Sequence, residues 1–159
     1  MTAQILALLE SSENTKQVLE SLKQSGHAIL SCHNFAGAIE ILEGPLTIDL
    51  IISDVHLENG GNVFDFLRWV RDYPKSATAS FVLLSINPTR LAKYLEDGTR
   101  MTAKLLGVDR YISMETFDAC DFRQQIDKLL DDREQSKKKH QHHGLKKRDR
   151  LNDRTVGTF

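Results

Sequence analysis

In this 159-residue chain, groups able to bind a metal or attack an electrophile stand where apolar runs give way to polar sequence. Glu10 follows "QILALL" (4–9), Asp54 follows "IDLIIS" (48–53), Ser85 closes "SFVLLS" (80–85), and "DRYIS" (109–113) ends on Ser113, just before Met114. Two carboxylates and a hydroxyl converging on one edge suit a hard cation such as Mg2+. With its charge offset by such an ion, the Asp54 carboxylate is a nucleophile for a phosphoryl group. A lone Asp at a strand end also serves as a turn or helix cap, so spacing alone leaves both roles open. The stretch after Asp54, "VHLENGGN", is polar and glycine-bearing, as a loop would be. No glycine-rich phosphate loop, paired-cysteine metal motif or Ser/His/Asp arrangement stands out.

These positions share an edge only if the runs before them are parallel strands of one sheet. The pattern predicts five strands, at 4–9, 27–33, 48–53, 80–85 and 109–113, alternating with five helices. The first helix places Val18, Leu19 and Leu22 on one stripe, with Ser12 as a cap and Gly26 as its stop. Asn34 caps the second, whose Ala38, Ile41 and Leu42 share a face. The third, 63–73, ends at Pro74; a long helical stretch over 88–106 is expected to break near Gly98; an amphipathic helix over 117–132 closes the body. Strands with little polar alternation, each followed by a helix, imply an α/β three-layer sandwich around a parallel sheet. In such sheets, sites form beyond the carboxyl ends of the strands.

With those elements in place, "LIISDVHLENGG" and the residues around it resemble a response-regulator receiver domain of two-component signalling, over residues 4–130. The resemblance implies the flavodoxin-like receiver fold, a five-stranded parallel sheet in order 2-1-3-4-5. It implies Asp54 as phosphoacceptor, with Mg2+ held by Glu10, Asp54 and the backbone carbonyl of His56. Ser85 and Tyr111 match the switch pair. The sequence departs from the pattern twice: Leu9 stands where a second acid is usual, and Met114-Glu115 replace the Lys-Pro that contacts the phosphate. Losing a charge-assisted contact to an acyl phosphate removes about 1.5–3 kcal/mol. Implied partners are a histidine kinase or phosphotransfer protein and a downstream protein met through the fourth helix, fifth strand and fifth helix, a face that also suits a homodimer.

Charge divides the chain. Residues 133–159 hold nine Lys/Arg against three Asp/Glu, leaving twelve against nineteen in residues 1–132. The expected organisation is a receiver domain over 1–132 and a basic tail over 133–159, disordered or only partly helical for want of apolar content. Basic clusters at 137–139 and 146–148 raise nucleic-acid binding as an alternative function, although no recognition motif accompanies them. His140, His142 and His143 in a tail without carboxylate or thiolate partners read as adventitious metal ligands. His27 and His33 read as surface or edge residues away from the site, Trp69 as packing among Phe66 and Val70, and Cys120 and Phe122 as packing of the last helix. Two cysteines, no signal-peptide pattern over residues 1–9 and no apolar run of membrane-spanning length point to a cytoplasmic, non-membrane protein. The chain carries no recognisable catalytic domain, so the expected output is protein binding rather than catalysis. A receiver-shaped adaptor that works without phosphate is the other alternative.

Overall fold

The structure is a computed structural model that describes residues 2–10, 12–57 and 62–158, with side chains through residue 138. The loop at 58–61 and the side chains of Lys139, His140, His142, His143 and residues 146–148 lie outside it.

Five strands, β1 (Gln4–Leu8), β2 (Ala28–Cys32), β3 (Leu50–Asp54), β4 (Ser80–Ile86) and β5 (Arg110–Met114), form one sheet in the order β2-β1-β3-β4-β5. Every neighbouring pair is parallel, with Ile5 opposite Ile29 and Leu50, and Ser85 opposite Ser113. The helices α1 (Glu13–Gln24), α2 (Phe35–Glu43), α3 (Val63–Asp72), α4 (Arg90–Tyr94) and α5 (Glu96–Leu105) make the crossovers that parallel pairing requires, and α6 (Ala119–Thr158) follows the last strand. The fold class and strand order expected from sequence are therefore those observed.

The strands' two-residue side-chain period splits the core. Leu6, Leu8, Ile51, Phe81 and Leu83 meet α2, α3 and Ala103 of α5 on one face. Ile5, Ala7, Leu50, Ile52, Val82 and Leu84 meet α1 and α6 on the other. Trp69 packs at the margin of the first layer, stacked on Tyr73 with ring centroids 4.9 Å apart.

Local signals explain most helix ends. Ser12 accepts from the Thr15 amide and Asn34 from the Gly37 amide, as N-caps do. Gly26 follows α1 at φ +85°. Tyr73, held extended by the proline behind it, ends α3 at ψ 118°.

Two expectations need correction. The 88–106 stretch does not break at Gly98, which lies inside α5; the chain turns at Leu95 (φ −90°, ψ −1°), which ends one helix and starts the next. A helical glycine costs only about 1 kcal/mol relative to alanine, and Glu96 and Asp97 favour a new amino terminus beside them. His27 is buried, not at the surface: its Nδ1 accepts from the Ala3 amide at 3.1 Å, so Nε2 carries the hydrogen, 3.7 Å from Asp127. The backbone beyond residue 132 is a continuation of α6, which runs to Thr158. Its Lys, Arg, Glu and Gln content, without proline, is helix-permissive even though it offers no apolar stripe.

One side chain fastens the lower edge of the sheet. Arg71 donates to the carbonyls of Ala77, Ala79 and Gly107 and reaches Asp109 at 3.1 Å, while Asp109 accepts from the Phe81 amide at 2.7 Å. Gly107 stands at φ +91°, where a Cβ would meet the Arg71 Nε at 3.3 Å. Sequence gave no sign of Arg71, because all its partners are distant in chain or backbone.

Candidate functional site

A cavity of about 490 Å3 opens beyond the carboxyl ends of β1, β3 and β4. Glu10, Asp54, His56 and Ser85 all line it, so the structure gathers four of the five residues singled out in the sequence. The fifth, Tyr111, stands behind Ser85, whose side chain hydrogen-bonds it. Asp54 is the last residue of β3, and its Oδ2 accepts from the Glu10 amide at 2.8 Å. This bond orients the carboxyl and leaves Oδ1 for another partner. Burial is the main influence on the group; together with the nearby Glu10 charge it outweighs that hydrogen bond and raises the Asp54 pKa from 3.8 to about 6.

The neighbouring turns are built for this edge. Ser12 caps α1, and the Thr15 hydroxyl donates to the Glu10 carbonyl, fixing the chain after β1. His33 Nδ1 lies 3.1 Å from the Leu9 carbonyl, so His33 belongs to the site edge and not away from it, although its side chain is exposed. After β4, Asn87 takes φ +52°, a conformation asparagine tolerates better than most residues, and its amide donates to the Met114 carbonyl at 2.7 Å. Thr89 then caps α4 through the Ala92 amide at 3.1 Å. Asn14, Thr15, Asn87 and Thr89 line the cavity too. Their signal in the sequence, a short polar residue at each helix entry, was readable as capping only.

The two departures from the receiver pattern have a common geometry. Leu9 and Met114 both pack into the layer under α1 and α6, and Met114 is only 8% exposed. Met114 does not line the cavity, and no Lys or Arg stands among the described residues that do. Glu115 is paired with Lys93 of α4. Tyr111, on the opposite face of β5, carries the Arg100 guanidinium over its ring at 4.4 Å, with Arg100 held by Glu96 at 3.0 Å. Burial and the Glu96 charge raise the Tyr111 hydroxyl pKa; Arg100 and Ser85 oppose them. Arg100 was not singled out in the sequence, since only the turn of α5 brings it to β5.

Hard carboxylate and carbonyl oxygens fit Mg2+, which is content with one or two carboxylates and its own waters. The raised pKa of Asp54 beside Glu10 is the electrostatic need such an ion would meet. Among the described residues no group of three or more His, Cys, Asp or Glu gathers as a metal site, so protein ligation would rest on Glu10, Asp54 and the His56 backbone. Among these residues no helix is long and apolar enough to cross a membrane.

The sequence matches no protein-family profile and no curated protein. Solved structures do match. The chemotaxis response regulator CheY4 of Vibrio cholerae superposes with a TM-score of 0.64 at 18% identity, over 82% of this chain and 99% of that one. A CheY-like receiver domain protein from Methanospirillum hungatei gives 0.69 at 15%, over 86% and 99%. The receiver domain of a sensor histidine kinase from Pseudomonas aeruginosa, with a magnesium ion coordinated in its active-site cleft, gives 0.66 at 15%, over 82% and 98%. These likenesses show the fold: residues from β1 into α6 have the same architecture as those domains.

Proposed function

We propose that this chain is a response-regulator receiver that accepts a phosphoryl group on Asp54, from a histidine kinase or phosphotransfer protein, and passes the change on by protein contact. One observation carries this reading. The Asp54 carboxyl stands at a β3 end inside a cavity, oriented by the Glu10 amide, with Ser85 on the next strand and Tyr111 hydrogen-bonded behind it. In the transfer, a carboxylate oxygen of Asp54 forms the new P–O bond while the donor's bond to phosphorus breaks and the donor keeps the electron pair. Mg2+ at Glu10, Asp54 and the His56 carbonyl would supply positive charge to the phosphoryl oxygens. This chain's residues orient the nucleophile and couple its edge, through Ser85 and Tyr111, to α5.

A second reading, an adaptor that works without phosphate, is favoured by one feature: no cationic side chain among the described residues lines the cavity, and Met114 is turned into the core. Intact mass after incubation with acetyl phosphate and Mg2+ separates the two. A hydroxylamine-labile adduct on the wild type, absent from Asp54→Asn, supports the acceptor. No adduct, with no Mg2+ or beryllofluoride binding, leaves the adaptor.

A further inference from the structure

The last helix is longer than the domain needs. Phe122, Ile126 and Leu130 are the α6 side chains buried in the core, and the helical backbone then runs on to Thr158. At 1.5 Å per residue, about 40 Å of helix lies past Leu130. That stretch offers no apolar stripe, so its pattern is one of charge: residues 133–159 hold nine Lys/Arg against three Asp/Glu. At 100° per residue, eight of the nine basic residues take register positions within one arc of about 200°. Glu134, Asp149 and Asp153 all take positions in the remainder. Arg133 is engaged with Asp49 at 3.3 Å, so the basic face proper runs from Lys137 to Arg154.

The charge pattern selects the partner. A long basic face calls for an equally long row of negative charge, and duplex DNA carries one charge per about 1.7 Å of its axis. A helix lying on an anionic membrane would need a broad apolar face opposite the basic one. Here the opposite arc holds the three acids and Lys138, with Leu145 and Val156 as its apolar residues. The major groove of B-form DNA admits a helix, whereas that of an A-form duplex is too deep and narrow for side chains to read. We propose that the extension of α6 is a DNA-binding element, its basic face laid along the phosphates of a B-form duplex without regard to sequence. The rest of the chain sharpens the assignment by contrast. Residues 1–132 carry twelve Lys/Arg against nineteen Asp/Glu, so the domain repels DNA and contact is confined to the extension. This activity is separate from Asp54 and does not depend on phosphoryl transfer.

The test uses the full chain without acetyl phosphate. Fluorescence anisotropy follows two labelled DNA duplexes of unrelated sequence between about 50 and 200 mM NaCl. The expected Kd is about 1–100 μM near 150 mM salt and equal for the two sequences, with log K falling against log[salt] at a slope of about −4 to −6. Two double variants remove the same net charge from different arcs. Lys139→Gln/Lys147→Gln, on the basic face, should flatten the slope by about 2, while Gln141→Glu/Asn152→Glu, off it, should leave the slope within about 0.5. Gln141→Pro keeps every charge but interrupts the helix, and should weaken binding about tenfold. Thermal unfolding of each variant should match the wild type, since none of these residues belongs to the core. The proposal is overturned if neither duplex binds by about 100 μM at the lowest salt, if the two double variants act alike, or if Gln141→Pro binds undiminished. Tighter binding, at matched salt, to an RNA duplex, to polyglutamate or to phosphatidylserine vesicles overturns it as well.

Discussion

Asp54→Asn should make the protein more stable at neutral pH. The substitution keeps the shape of the side chain and an oxygen for the Glu10 amide, and removes a charge that is desolvated and faces Glu10. Raising the carboxyl from 3.8 to about 6 corresponds to about 3 kcal/mol against the ionised folded form, an upper figure for a site with an open mouth. The sign follows from proton counts. Between the unfolded and folded pKa values the folded protein holds the proton more often, so stability falls as pH rises from about 4 to about 6 and is level above. Urea denaturation of wild type and variant at matched pH isolates this group, because other carboxylates largely cancel in the difference. The variant should lead by about 2–3 kcal/mol at pH 7.5, and the lead should vanish near pH 4. Mg2+ should narrow it by stabilising the wild type alone, since only that protein offers both carboxylates to the ion. A gain that is absent at pH 7.5, or that persists unchanged at pH 4, would refute the assignment of a desolvated, repelled charge at Asp54.

Arg71→Lys should destabilise by about 2–4 kcal/mol in the same assay, because a lysine cannot span the three carbonyls and Asp109 that the guanidinium joins. Ultraviolet titration of the tyrosines in a Tyr73→Phe/Tyr94→Phe background should show Arg100→Ala raising the Tyr111 midpoint and Glu96→Gln lowering it, following the signs of the two charges. An unchanged midpoint in both variants would place Arg100 and Glu96 away from the Tyr111 hydroxyl. Asn87→Gly should be close to neutral in stability whereas Asn87→Val loses about 1–2 kcal/mol, since only the β-branched side chain resists φ +52°. Thermal unfolding of the two variants checks it.

Local signals carried the fold. Ser12 and Asn34 before apolar stripes, Pro74 after one, and strands without polar alternation were enough for four crossovers and a parallel sheet. What stayed hidden depends on partners far along the chain. His27 is buried because the Ala3 amide needs an acceptor, and Arg71 matters because carbonyls at 77, 79 and 107 converge on it. The turn falls at Leu95 and not at Gly98 because Glu96 and Asp97 start α5 there, whereas a glycine inside a helix costs only about 1 kcal/mol. The acidic floor was legible in Glu10 and Asp54, but the apolar wall was not, since Leu91 and Leu95 reach the cavity only through the path of α4.

The two departures at Leu9 and Met114 act in the same direction on the Asp54 carboxylate. Strand parity sends both side chains into the layer under α1 and α6, where each is almost fully buried. Burying such a side chain stabilises by about 1.5–3 kcal/mol, so the edge is held by apolar packing and not by a charge network. Asp54 stays on the cavity side with Glu10 as its charged neighbour and no described Lys or Arg lining the space. A charge network would hold that carboxylate low and ready; apolar packing leaves it raised, so a cation arriving from solution gains the full benefit of relieving it. The chemistry of this edge is therefore conditional on a cation brought to it from solution.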